Sequence, residues 1–219
     1  AFAGIKVSSA GGIVGSADGT ILYCKNYGKI SQITPFTHMA GGITGHTPRG
    51  GMIVGCENHG DVCAESSDMT VSGSTAGGIV AKASYKDIST CASGCFNTGN
   101  ISAGLYVGGI VGDLQSKGSI ENCYNLGTIS GNTDATGGNP PFLGGITGGM
   151  AKATLKYNYN VGKIQAHANA QTSRCGEING SGTFSAKETG EYNYFIGTEV
   201  VAGTAYGYAT KTAKKKIGE

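Results

Sequence analysis

Fourteen Asp and Glu, sixteen Lys and Arg, four His and seven Cys are the side chains through which this 219-residue chain could do chemistry. Cleaving a polysaccharide would need two carboxylates a few ångströms apart, or calcium-binding aspartates with a base. The acids are dispersed along the chain and collect at no repeated position. His38, His46, His59 and His167 are equally scattered, and arginine occurs only at Arg49 and Arg174. Cys91 and Cys95 have tolerable spacing for zinc, but no second ligand pair follows them. Serine-nucleophile elbows, phosphate loops and calcium nonapeptides are missing. These patterns predict no catalytic residue, no metal and no cofactor. What remains is a set of aromatics: Phe96, Tyr124 and Tyr159, each one residue after a repeated cysteine or its equivalent, and Phe36, Tyr106 and Phe142 in the connecting stretches. Aromatic rings aligned in a row could pack on sugar rings or on a protein partner.

The elements that must position these residues announce themselves by repetition. Gly-Gly-Ile recurs at Gly11, Gly41, Gly77, Gly108 and Gly144, at intervals of about thirty to thirty-six residues. A second block follows each: Cys24 to Ile30, Cys56 to Val62, Cys95 to Ile101, Cys123 to Ile129, and Asn158 to Ile164, where asparagine replaces cysteine. A degraded sixth copy runs through Gly176–Gly180 and Asn193–Gly197. Each repeat offers three short apolar runs, too short for helices and rich in Ile, Val and Tyr. The expected fold is therefore all-β: a parallel β-helix, or β-solenoid, right-handed, with three short strands per coil and about six coils. Residues 1–200 form the solenoid and 201–219 a cap and tail.

Stacked coils place like residues in vertical files. Asn26, Asn58, Asn97, Asn125 and Asn160 should form an amide ladder that also satisfies turn backbone groups. Cys24, Cys56, Cys95 and Cys123 should form a column of buried thiols, with disulfides between neighbouring coils as the alternative. Gly28, Gly60, Gly99, Gly127 and Gly162 read as corners with positive φ. The long stretches 64–76 and 131–143 put variable loops along one edge, which on a solenoid is often the binding side.

A net charge of +2 is too weak to imply nucleic acid. No apolar run reaches the roughly 18 residues of a membrane span, and the first residues lack a signal-peptide pattern. Gly4 to Ser8 reads like the closing strand of an earlier repeat, so the chain is expected to be a processed or excised piece of something longer.

The alternation of Gly-Gly-Ile-[Val/Thr]-Gly with Asn-Cys-Tyr-Asn-x-Gly-x-Ile-Ser, clearest from Gly108 to Ser130, resembles the GLUG-motif repeats of bacterial cell-surface proteins. The resemblance covers about residues 10 to 165. It implies a secreted or wall-attached, adhesin-like repeat protein at the bacterial cell surface. The expected function is a non-enzymatic extracellular stalk or cell-adhesion module. Its expected partners are a host glycan or protein, or neighbouring domains of the same surface protein. Similar repeats accompany proteases resembling the M26 immunoglobulin A peptidases, so an accessory domain of a larger surface protease is the alternative, though their His-Glu-x-x-His motif is absent. A carbohydrate-active β-helix enzyme is the third reading.

Overall fold

The structure, a computed structural model, describes residues 7–34, 37–66, 73–84, 90–115, 117–131, 141–151, 153–165, 175–181, 190–196 and 215–216. Every described element is a short strand, every strand pair is parallel, and the coils stack in register one repeat apart, with a register shift between Thr90 and Ala92. The chain winds as a β-solenoid. Its fourth coil shows the plan: Tyr106–Gly108, Val111–Gln115, Ser119–Glu121, Tyr124–Asn125 and Ile129–Gly131. These five strands enter five different sheets, numbered here from first to fifth in that order. The first three sheets have six strands, the fourth seven and the fifth five. Six coils are present, as expected, but the first five carry five strands each rather than three, and among the described residues the sixth carries four. The additional strands are two- to three-residue pieces around the Cys-x-Asn block, such as Phe96–Asn97. The degraded copy does form the sixth coil, through Cys175–Gly176, Asn179–Ser181, Gly190–Glu191 and Tyr194–Phe195. Lys215–Lys216 then pairs with Tyr194–Phe195 as the seventh strand of the fourth sheet.

Parallel pairing of short strands leaves the interior to be filled from alternate positions. The Gly-Gly-Ile isoleucines Ile43, Ile79, Ile110 and Ile146 are fully buried, in a core with Ile53, Ile120, Leu155 and the cysteine file. A second core, lined by the first and fifth sheets, contains Val62, Ile101, Ile129, Val107 and Leu143. Burying each such side chain stabilises by roughly 1.5–3 kcal/mol. A polar spine separates the two cores. The second glycine of each Gly-Gly pair lies against the asparagine of its own coil, so that a Cβ on Gly109 would sit 2.4 Å from Asn125 Cγ and 2.1 Å from Gly145 O. Each coil is thus pinched at a waist where glycine makes room for an amide.

The amides run up this waist. Nδ2 of Asn26, Asn58 and Asn97 donates to Oδ1 of the next asparagine at 2.7 Å, and Asn125 donates to Asn160 at 2.9 Å. The second hydrogen of each Nδ2 goes to the glycine carbonyl two residues on, at 2.7–3.0 Å. At the sixth coil, both members of the glycine–asparagine contact change together. Phe195 takes the asparagine position, Glu177 takes the glycine position, and Glu177 Oε2 accepts from Asn160 Nδ2 at 2.9 Å. The ladder therefore ends on a buried carboxylate. Burial pushes the Glu177 carboxyl up to about 7, against the lowering effect of the Asn160 hydrogen bond. A carboxyl whose pKa is higher folded than unfolded stabilises fully below the unfolded value, and loses that contribution as pH rises through the folded one. The sixth coil should therefore be firmest below about pH 4.5 and weaken by up to about 3 kcal/mol as pH passes 7. Amide-exchange protection of Ile178 and Ile196, compared at pH 5 and pH 8, checks this; Glu177→Gln should remove the difference.

The cysteine file works the same way with different atoms. The backbone N–H of Cys24, Cys56 and Cys95 donates to Sγ of the cysteine one coil on, at 3.3–3.4 Å. Each thiol donates to the carbonyl two residues back, as Cys123 does to Glu121 O at 3.2 Å. Asn158 reproduces the acceptor role, taking the Cys123 N–H at 2.9 Å, and its Nδ2 donates to Ile120 O of the preceding coil at 2.8 Å, as the Cys95 thiol does to Ile53 O at 3.4 Å, which explains why asparagine can occupy this file. All seven cysteines are free thiols. The Cys123 thiol, and after it burial, push Cys95 up to about 12, and burial pushes Cys175 up to about 11. Thiolate is the form that alkylates. Burial also shuts the reagent out, so iodoacetamide at pH 8 should leave buried Cys56, Cys91, Cys95, Cys123 and Cys175 unmodified in the native chain. All seven should react in urea, as read by mass spectrometry.

The corner glycines carry a correction. Gly28, Gly60, Gly99, Gly127 and Gly162 are not among the positive-φ residues. All but Gly28, whose added Cβ would meet nothing closer than 3.6 Å, are required by proximity: a Cβ on Gly60 would lie 2.0 Å from Gly28 O, and the same clash repeats at Gly99, Gly127 and Gly162. The left-handed position is instead the residue before the cysteine file, occupied by Tyr23, Gly55, Gly94, Asn122, Tyr157 and Tyr192, with φ of 53–60°.

Candidate functional site

The short fourth-sheet strands force residues one and three places beyond the cysteine file outward, while the asparagine between them points in. Phe96, Tyr124 and Tyr159 occupy the first of these outward files and lie in register. All three are half-buried, and they stack on one another with centroids 4.7 and 4.8 Å apart and planes within 5°. At that separation, parallel rings in van der Waals contact must be offset, like roof slates. The row does not present full ring faces outward, as the sequence suggested, because each ring covers part of the next.

The row is longer than the three residues read from sequence. His59, three places after Cys56, meets Phe96 edge-on at 5.4 Å, and Tyr27 stacks on His59 at 4.7 Å. An unbroken track of ring contacts thus runs from the first coil to the fifth. Its lower end is tied by charge: Glu57 Oε1 lies 3.0 Å from Lys25 Nζ, and Glu57 Oε2 lies 3.1 Å from His59 Nε2. The hydrogen bonds from His59 and Lys25 hold the Glu57 carboxyl below the usual range. His59 and Tyr27 do not directly follow a cysteine, so the column that holds Phe96, Tyr124 and Tyr159 does not contain them. The position three beyond the cysteine carries the missing signal.

Tyr106 and Phe142, read as connecting residues, stand in first-sheet strands and pair in register. Their rings stack at 5.1 Å. They belong to a different sheet from the fourth-sheet track, so the six aromatic candidates do not form one site. Phe36 lies outside the described residues, as do 67–72 and 132–140 of the two long loops.

One arrangement has the connectivity of an acyl-transfer triad. Thr98 Oγ1 is 3.0 Å from His59 Nδ1, and His59 Nε2 is 3.1 Å from Glu57 Oε2. Hydroxyl, imidazole and carboxylate follow in the order such chemistry uses. Catalysis also needs donors aimed at a developing oxyanion. The Thr98 N–H is spent on Asn58 O at 2.8 Å and the Asn100 N–H on Asp61 Oδ1 at 2.9 Å, so coil stacking consumes both. A second polar group lies on the second sheet, where buried Asp113 sits 3.6 Å from Lys82 Nζ and 2.9 Å from Gln115 Nε2. Burial raises its carboxyl and Lys82 partly counters that. Among the described residues, no group of three or more His, Cys, Asp or Glu is placed to hold a metal ion.

Beside the track, Tyr23, Tyr157 and Tyr192 hold the left-handed conformation described above, which costs a side chain with a Cβ roughly 1–2 kcal/mol. Tyr157 and Tyr192 stack at 5.3 Å with planes 1° apart. No signal in the sequence distinguished these tyrosines, because the backbone conformation that singles them out is not visible there.

Residues 103–130 match the family model described as the GLUG motif. The match covers the fourth coil, whose Gly-Gly, Cys and Asn positions recur in the coils on either side. No curated protein and no solved structure matches the chain.

Proposed function

We propose that this chain is a non-enzymatic repeat module of an extracellular bacterial surface protein, serving as a stalk that also binds a partner through its outer aromatic surface. The observation that carries this reading is the aromatic track itself. Five coils hold Tyr27, His59, Phe96, Tyr124 and Tyr159 in continuous contact on the outside of a rod whose interior is already filled. The cores need none of these rings. Outward aromatics are a common currency of recognition, supplying large contact area at small entropic cost. The GLUG motif supports the repeat-module part of the reading. The non-enzymatic part is supported by the triad-like group, whose neighbouring N–H donors are committed to coil stacking.

The chain, immobilised and probed with host glycans, extracellular-matrix proteins and polysaccharides, should retain at least one of them without altering it. A shortened or unsaturated saccharide product would overturn the non-enzymatic reading. Retention of nothing, together with failure to find the protein among those shaved from intact cells by protease, would overturn the reading as a whole.

A further inference from the structure

The first coil shows to solvent the cross-section that the other coils hide. Ile13, the isoleucine of its Gly-Gly-Ile, is 47% exposed, whereas Ile43, Ile79, Ile110, Ile146 and Ile178 at the same position are at most 1% exposed. Ile21, Cys24 and Ile30 are only partly buried, while Ile53, Cys56 and Val62 directly above them are buried. Hydrogen-bonding groups are left over as well. Glu57 N and His59 N reach down to Cys24 O and Asn26 O, and Ile43 O takes the N–H groups of Ile13 and Val14 from below. One coil lower, the equivalent groups, Lys25 N, Tyr27 N and Ile13 O, have no partner among the described residues. Among those residues Asn26 Oδ1 accepts from its own Gly28 N alone, at 3.1 Å, where Oδ1 of Asn58, Asn97, Asn125 and Asn160 each receives the amide of the asparagine beneath. The opposite end differs: Ile178 and Phe195 are buried, and Lys215–Lys216 pairs onto the last of the fourth-sheet repeat strands.

An apolar face ringed by unpaired strand-edge N–H and C=O groups selects its occupant by geometry. A parallel coil of the same outline fits: its apolar residues fall under Ile13, Ile21 and Ile30, and its asparagine donates to Asn26 Oδ1. A single extended strand would pair with one sheet edge and leave the core open. A second copy of this chain also fails. Inverted, it would set one acceptor end of the ladder against another; upright, it would offer Glu177 and Phe195, with no asparagine Nδ2 to give. Coils climb from first to sixth along the sequence, so the coil that belongs beneath the first is one that precedes it in the polypeptide. We propose that the lower face of the first coil docks a further GLUG-type coil of the same polypeptide, parallel and in register, through Ile13, Ile21, Cys24, Asn26 and Ile30. The inference rests on the repeat-module reading and adds the partner, its orientation and the residues that receive it.

The test lengthens the full chain by a tandem copy of residues 7–36, inserted between Lys6 and Val7. A second insertion at the same point, a copy of residues 104–139 from the fourth coil, covers the case in which the first does not fold. At least one insertion should raise the melting temperature by about 5 °C or more. The same insertion should slow iodoacetamide alkylation of the original Cys24 by about tenfold or more. Replacing the ladder asparagine of the added copy, as Asn26→Ala or Asn125→Ala, should remove about half of the thermal gain or more, and a shuffled insert should change neither reading. On intact cells the original Cys24 should be shielded too. The proposal is overturned if both insertions leave Cys24 as reactive as in the native chain, if the asparagine replacement costs nothing, or if Cys24 alkylates as fast on cells as in the isolated chain. A native chain that sediments as a dimer shielding Cys24 would overturn the occupant. None of these readings uses a host ligand, so their failure leaves partner binding by the aromatic track standing.

Discussion

Asn125→Ala is expected to lower the unfolding free energy by about 4 kcal/mol, as much as a large cavity in a hydrophobic core. Its amide is satisfied at every valence. Nδ2 donates to Gly127 O at 2.8 Å and Asn160 Oδ1 at 2.9 Å, while Oδ1 accepts from Asn97 Nδ2 at 2.7 Å and Gly127 N at 3.2 Å. Removing it strands four partners in a waist closed to solvent, and buried polar networks lose more than the sum of their pairs. Asn125→Asp should be worse, since a carboxylate keeps the shape but sets an acceptor against two oxygens. Asn100→Ala, at an exposed residue, should cost under about 1 kcal/mol. Urea unfolding followed by circular dichroism measures all three. A loss below about 1 kcal/mol for Asn125→Ala would mean the ladder is ornamental.

Gly109→Ala should be comparably severe, at about 3 kcal/mol or more, because the added methyl meets atoms that cannot retreat. Gly145 O belongs to the next coil's backbone, and Asn125 Cγ is pinned by the four hydrogen bonds just described. Gly19→Ala is the control: nothing lies within 4 Å of its added Cβ, so it should change stability by less than about 0.5 kcal/mol. The double variant Gly109→Ala/Asn125→Ala should cost less than the two single losses added, since each removes part of what the other offends. The sixth coil has made such a paired exchange already, with Glu177 and Phe195. Strict additivity in the cycle would separate glycine and asparagine and refute the waist.

The vertical files were legible because stacking in register turns sequence period directly into spatial neighbourhood. The asparagine and cysteine positions could be read that way without coordinates. The number of strands per coil could not, since a two-residue strand such as Tyr124–Asn125 is too short to show alternation. Nor could the waist, which joins Gly109 to Asn125 across sixteen residues with only glycine's missing side chain as the clue. The candidate surface was half legible. Phe96, Tyr124 and Tyr159 follow from one column of the alignment, whereas His59 and Tyr27 enter from a neighbouring column through ring geometry. Tyr157 and Tyr192 become conspicuous only once φ is known.

The amide ladder also has a direction. Every Nδ2 points toward the sixth coil and every Oδ1 toward the first, so the side-chain dipoles add head to tail, much as peptide dipoles do in a helix. The rod is a vector, positive toward Glu177, where an acid receives the last donor, and negative at Asn26. Its two faces consequently obey opposite rules of assembly. A coil laid beneath the first must offer a hydrogen to Asn26, whereas the far end of the ladder meets a carboxylate, with Phe195 in the next asparagine position and the Lys215–Lys216 strand paired onto it, so the ladder can be extended from below and not from above.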